Sequence, residues 1–308
     1  VLAPIAAVAL AACAPRAGAG PGLRIGYQRN GVLLLARSRG LDPAPAALAK
    51  VQWVEFPSGP PLLEALSAGA VDFGATGDAP PIFAQAAGAA LRYVAVQPIT
   101  GEGEAIVVPP GSPLREARDL RGRRIAFTKA SSSHLLVLKA LAAAGLTLAQ
   151  VEPVYLAPSD AAGAFSRRAI DAWATWDPYL ALVQRDQGAR VLVSGASLRR
   201  SDAFFLASQR LSETGADALR ALLNALRSEA AWGRAHTAPL VALVAKANGL
   251  PPDVVATSLR RGPLAVDPLT PEVLQRQQLS ADTFADLGII PRRITVADAA
   301  WTGWSPSK

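Results

Sequence analysis

Apolar and polar positions along the first hundred residues repeat a short order of strand, turn and helix. Leu23-Arg24-Ile25-Gly26-Tyr27 alternates with the period of two expected of a strand, and Gly31 to Arg39 follows as an apolar helix that stops at Gly40. Val51 to Phe56 alternates again. Pro57 to Pro61 turns the chain, and Leu62 to Leu66 makes the next helix, closed by Gly69. Val71 to Ala75 reads as a short buried strand, and Pro80-Pro81 falls in the first turn of a helix ended by Gly88, where proline is tolerated. Tyr93 to Val96 and Ala105 to Val108 add two apolar strands, which completes a first α/β lobe.

After Pro109-Pro110-Gly111-Ser112-Pro113 the pattern restarts. Arg124 to Phe127, Pro153 to Leu156, Ala169 to Thr175 and Arg190 to Val193 are strand-like, with helices at His134 to Ala144 and Ala161 to Arg167 between them. Ala203 to Ala207 is again apolar and marks a return crossing. The remainder is helical over Ala216 to Arg234, Pro239 to Asn248, Pro252 to Arg260 and Pro271 to Leu287, with prolines near the starts and Gly249 and Gly288 past two ends. These helices should pack on the first lobe. The expected division is residues 1–22 as leader and tether, 23–108 with 203–308 as lobe 1, and 109–202 as lobe 2.

Length agrees with that division, because 308 residues exceed what one compact core usually holds. Hydrophobic residues at 51% and charged residues at 18% supply packed cores and exclude disorder. A net charge of +7 raises the question of nucleic acid. The excess arginine is scattered in pairs, and the densest run, Arg115 to Arg124, also carries Glu116 and Asp119, so it reads as a solvated helix and turn. Residues 1–12, VLAPIAAVALAA, are too short to span a bilayer but suit a signal-peptide core. Leu10-Ala11-Ala12-Cys13 resembles the lipobox of bacterial lipoproteins, and Cys13 is the sole cysteine, so it has no intrachain disulfide partner. The alternative is ordinary cleavage near Ala17-Gly18-Ala19. Ala14 to Gly22 then forms an Ala, Gly and Pro tether.

Candidate chemistry concentrates at Lys129-Ala130-Ser131-Ser132-Ser133-His134. Ser131 is a good N-cap after a strand and before a helix whose Leu135, Leu138 and Leu141 share one face, so several unpaired backbone N–H groups meet three hydroxyls. This loop offers donors and no carboxylate, which suits a permanently ionised sulfonate or sulfate better than a protonated phosphate. Plain helix capping, a solvated Lys129 and a packed His134 are the bland alternatives. Thr76-Gly77-Asp78 precedes another helix start and can offer donors from the opposite lobe, or Asp78 can simply cap that helix. Trp173, Trp176 and Tyr179 fall within seven positions of a chain only 6% aromatic; one Trp is expected in the core and the other, Trp176, against a ligand. Catalytic machinery is thin: two histidines, His134 and His236, about a hundred residues apart, no second cysteine, no metal-ligand spacing and no phosphate-loop or nucleophile-elbow motif.

The stretches RIGYQ, WVEFPSGPPLLEALSAGAVDFGATGDAPPIFAQAAGA, KASSSH and AIDAWATWDPY together resemble the periplasmic aliphatic-sulfonate-binding proteins of ABC importers, from about Leu23 to Trp301. The resemblance implies a two-lobe type II periplasmic binding fold with two crossing strands, no cofactor, and a sulfonate held in the cleft for a membrane permease driven by an ATPase. It implies that Gln28, Thr76, Gly77 and Asp78 line one side, and Ser131, Ser132, Ser133, His134, Trp176 and Asp177 the other, with Glu104 and Arg261 as weaker candidates. The chain departs from that family at Ala130, often glycine there, and at Arg260-Arg261, often His-Arg. Ala130 is expected to avoid the backbone freedom of glycine. A monomer, touching membrane only through a lipid on Cys13, is the accompanying expectation. Alternatives keep the fold with taurine, nitrate or a sulfate ester as ligand, or make the chain an enzyme like the pyrimidine synthases of thiamine formation.

Overall fold

The alternating segments form two five-stranded sheets, one in each lobe. The computed structural model describes residues 22–41, 50–198 and 202–306; the apolar leader, Cys13 and the tether up to Pro21 lie outside the described residues. The first lobe opens as β1 (Leu23–Tyr27), α1 (Gly31–Arg39), β2 (Val51–Glu55), α2 (Gly59–Ser67), β3 (Phe73–Thr76), α3 (Ala79–Ala86) and β4 (Leu91–Pro98). The chain then crosses. The second lobe comprises β5 (Glu104–Val108), β6 (Arg124–Phe127), α4 (Ser132–Ala143), β7 (Glu152–Tyr155), α5 (Pro158–Ser166), β8 (Ala172–Trp176), α6 (Tyr179–Gln187) and β9 (Arg190–Ser194). It returns through β10 (Asp202–Ser208) to α7 (Gln209–Thr214), α8 (Ala216–Ala235), α9 (Thr237–Asn248), α10 (Pro252–Arg261) and α11 (Pro271–Asp286).

The strand orders are β2-β1-β3-β10-β4 and β7-β6-β8-β5-β9. In each sheet the strand that arrives from the other lobe is inserted antiparallel beside its neighbours: β10 between β3 and β4, and β5 between β8 and β9. This corrects one expectation. The apolar pattern places the strand at Ala105 to Val108 in the first lobe, but its hydrogen bonds run to β8 and β9, so it is a crossing strand of the second. Its fully buried Val-rich sequence is equally suited to either sheet, and periodicity alone carries no information on which one it joins.

The carboxyl-terminal helices complete the first lobe. Leu222, Leu223 and Leu226 of α8 and Leu240 of α9 pack with α1 and with Phe73 and Phe205 of the sheet. On the opposite face, α2, α3 and α11 pack a second cluster that also takes in Leu135 and Leu138 of α4. Those two leucines belong to the second lobe, so the lobes share a core: each contributes on the order of 2 kcal/mol to lobe contact if burial follows the usual area relation.

Candidate functional site

A cavity of about 210 Å³ lies between the lobes, at the carboxyl ends of the strands. Open α/β sheets place ligands there because each strand-to-helix turn delivers a helix start to the same edge. Here four starts converge: Asn30 and Gly31 at α1, Gly59 at α2, Gly77 before α3, and Ser131 and Ser132 at α4 all line the cavity. The amides of Ser132 and Ser133 have no backbone acceptor among the described residues. Such groups, with the positive ends of the helix dipoles, bind anions without a formal positive charge.

The two lobes meet closely at this point. A Cβ on Gly77 would lie 1.8 Å from Ser132 Oγ and 3.1 Å from Ser132 Cβ, so only glycine permits the approach. Gln28 is held by its Nε2 donating to the Ala75 carbonyl at 3.0 Å, and Thr76 Oγ1 donates to the Gly77 carbonyl at 3.0 Å. Both residues line the cavity. Across it, Asn30 Nδ2 donates to the Asp177 carbonyl at 3.2 Å. Arg261 of α10 reaches Asp177 Oδ1 at 3.3 Å and Gln184 Oε1 at 2.7 Å. These contacts tie the first lobe to the second.

Away from the helix starts the cavity is apolar, with Val32, Leu240, Val244, Val255 and Leu264 on the first lobe and Trp176 on the second. Two carboxyls also line it, Glu104 and Asp177. Burial raises Glu104 to about 8, helped by the nearby Asp78 charge and opposed by Lys139. Burial likewise raises Asp177 to about 6, against the pull of Arg261 and of the Ala181 amide that donates to Oδ1. The donor-only character read from the serine loop therefore does not extend to the whole cavity.

A family profile described as ABC transporter, phosphonate, periplasmic substrate-binding protein matches residues 54–246. The aliphatic sulfonates-binding protein of Escherichia coli (strain K12) is 41% identical over 281 residues, 91% of this chain and 88% of that protein. The chain belongs to the aliphatic-sulfonate-binding proteins of ABC importers. Among solved structures, the alkanesulfonate-binding protein of Xanthomonas axonopodis pv. citri bound to MOPS superposes with a TM-score of 0.88 at 41% identity, covering 92% of this chain and 99% of that one. The periplasmic aliphatic sulphonate binding protein of Escherichia coli gives 0.83 at 40% identity, covering 94% of each. The two-lobe periplasmic binding fold and its role as the substrate-binding part of an ABC importer follow from that membership.

Within this member of the family, the segment Lys129 to His134 divides. Ser131 and Ser132 face the cavity, but Lys129 places Nζ 5.5 Å from the Tyr155 ring centroid instead. Ser131 stands at the N-cap position without capping: its hydroxyl donates to the Thr128 carbonyl at 2.7 Å and lies 2.8 Å from Ser133 Oγ. Ser133 in turn accepts from the Thr128 amide at 3.3 Å, so it braces the loop from behind. His134 is buried among rings from both lobes, stacked on Phe127 at 5.0 Å with Phe284 at 5.7 Å and Phe83 at 6.1 Å. Its Nδ1 accepts from the Ala130 amide at 3.3 Å. Asp78 is buried at the start of α3, makes no side-chain cap, and its carbonyl accepts from Gln277 Nε2 at 2.6 Å. Neither Ser133, His134 nor Asp78 is among the residues lining the cavity.

Ala130 adopts φ 61°, the left-handed region, contrary to the expectation that it avoids it. That conformation, which accompanies the Ala130 amide's hydrogen bond to His134 Nδ1, costs a non-glycine residue about 1–2 kcal/mol. Trp173 is buried against Phe165 and Trp176 lines the cavity. Sequence reasoning missed the starts of α1 and α2 and the apolar side formed by α9 and α10. The first two carried a signal, since Asn30-Gly31 and Ser58-Gly59 occupy the same strand-to-helix position as Gly77. The apolar side carried none, because its leucines and valines are spaced like any core-facing helix.

Proposed function

We propose that this chain captures organosulfonates between its lobes and delivers them to a membrane permease driven by an ATPase. The observation that supports it most is the convergence of helix starts from both lobes on one apolar cavity: an oxyanion meets the unpaired amides and hydroxyls, and its hydrocarbon part meets Trp176, Val244 and Val255. The names of the relatives agree with that chemistry. Ligand contact falls to Gln28, Thr76, Gly77, Ser131, Ser132 and Trp176, with Asp78, Ser133 and His134 positioning the two loops. The lobes move as two bodies about the crossing strands, and the ligand holds them together. The chain acts as a monomer, anchored through lipid on Cys13 following Leu10-Ala11-Ala12.

A melting series tests the ligand class. Butanesulfonate at a hundredfold excess over its Kd should stabilise the folded chain by about 2.7 kcal/mol, as mass action requires. Nitrate, sulfate and butylphosphonate at equal concentration should shift the melting temperature less; an equal or larger shift by any of them would displace sulfonate as the ligand. Light scattering on the purified chain reads its oligomeric state. Mass spectrometry of the membrane fraction, with Cys13→Ala as control, reads the lipid.

A further inference from the structure

Glu104 opens β5 opposite Trp176 of β8, and it lines two cavities at once. One is the ligand cavity. The other, of about 20 Å³, lies against α4 and reaches Leu136 and Lys139. Ser132, at the start of α4, is also shared by the two. Glu104 is half-buried although it stands between the lobes, and the surface it keeps opens on these cavities, whereas Asp177 Oδ2 is shut away. The Glu104 carboxyl makes no hydrogen bond among the described residues.

A cavity whose helix starts suit an oxyanion thus carries an unpartnered carboxyl beside one of them. Ionised, that carboxyl repels the ligand; protonated, it adds a donor to those of Ser132. Its surroundings favour the second state. Burial first, and then the charge of Asp78 at the start of α3, lift Glu104 to about 8 against the pull of Lys139. The other charged groups on elements packed against β5 are engaged elsewhere or neutral. Arg190 of β9 donates to the Leu114 carbonyl, Arg185 of α6 pairs with Asp186 and Asp253, Tyr179 of α6 is raised above its usual 10, and His134 of α4 is held down to about 4.

We propose that Glu104 is a neutral acid in the captured state and donates its hydroxyl to the oxyanion that Ser132 holds, so that capture of the anion is linked to uptake of a proton. The link rests on the anion-capture reading above. The proton comes from solvent, adds to whatever fraction of Glu104 is still ionised, and is given back when the ligand leaves. It also supplies the cavity with an acidic donor that the serine loop lacks, in keeping with a ligand that brings no proton of its own.

Calorimetry with butanesulfonate from pH 6.5 to pH 9.5 tests this. Affinity should be level up to about pH 7.5 and then fall about 10- to 30-fold by pH 9.5, because the ionised fraction of Glu104 grows tenfold per unit. At pH 8.5, heats measured in buffers of different ionisation enthalpy should report uptake of about 0.5–1 proton per ligand, a reading that needs no variant. In Glu104→Gln, which offers a neutral donor at every pH, the profile should be level and the uptake should vanish. Asp177, raised only to about 6, is ionised across the range where the fall occurs. A level wild-type profile with no proton taken up, while butanesulfonate binds, overturns the proton link and leaves anion capture standing. A fall that persists unchanged in Glu104→Gln also overturns it. Absence of binding at every pH removes the capture reading and the proton link with it.

Discussion

Two residues at the loops carry consequences out of proportion to their size. Ala130 holds φ 61° without glycine's freedom, so Ala130→Gly relieves the strain while adding some unfolded-state entropy. A net gain of about 0.5–1 kcal/mol is expected from urea unfolding, with ligand binding retained. Gly77 has the opposite constraint. Gly77→Ala places a methyl carbon against Ser132 Oγ and holds the lobes apart, so binding should weaken about 10- to 100-fold by calorimetry. Removing the hydroxyl in Gly77→Ala/Ser132→Ala leaves a 3.1 Å contact and should recover part of the loss. The site was half legible at this scale: Gly77, Ser131 and Ser132 announce themselves as helix-start donors, but whether Ser133 and His134 turn toward ligand or core depends on rings brought from Phe83 and Phe284, far away in sequence.

Helix α4 is one of the elements through which the lobes are joined. Its Leu135 and Leu138 enter the first lobe's core, and His134 at its first turn is held neutral, lowered from 6.5 to about 4 by burial and then by Lys129. A histidine whose folded pKa is depressed loses stability as pH falls from its unfolded value through its folded one, here from 6.5 to about 4. Glu104 and Asp177 act with the reverse sign: both are raised, so they favour the folded state as pH falls through about 8 and about 6. The histidine's share is therefore read by difference. Unfolding of wild type and His134→Gln between pH 7 and pH 4 should diverge by on the order of 3 kcal/mol, the variant gaining stability relative to wild type as pH falls; parallel curves would show that His134 is not held neutral in the fold. The helices themselves were largely visible in the apolar spacing and the Pro and Gly punctuation, as α8, α10 and α11 show. Their destination was not, since spacing marks an apolar face without naming the surface it meets.

The whole molecule is two similar sheets exchanging one strand each, and that exchange sets the lobes side by side around the cavity. Because β5 and β10 each cross to the sheet of the other lobe, the lobes are connected twice, side by side. Strand alternation read from sequence reached the two-lobe plan but assigned β5 to the wrong sheet, for pairing partners are a property of the assembled sheet. Helix starts from both lobes thereby line one cavity, which a single lobe cannot provide. Titration calorimetry of the purified chain with straight-chain sulfonates, from ethanesulfonate to octanesulfonate, tests that claim most directly. One-to-one binding with a Kd in the micromolar range, about −8 kcal/mol, and abolished by Gly77→Ala combined with a bulky replacement of Ser132, is the expected result; no heat from any of them at tens of micromolar protein would contradict it.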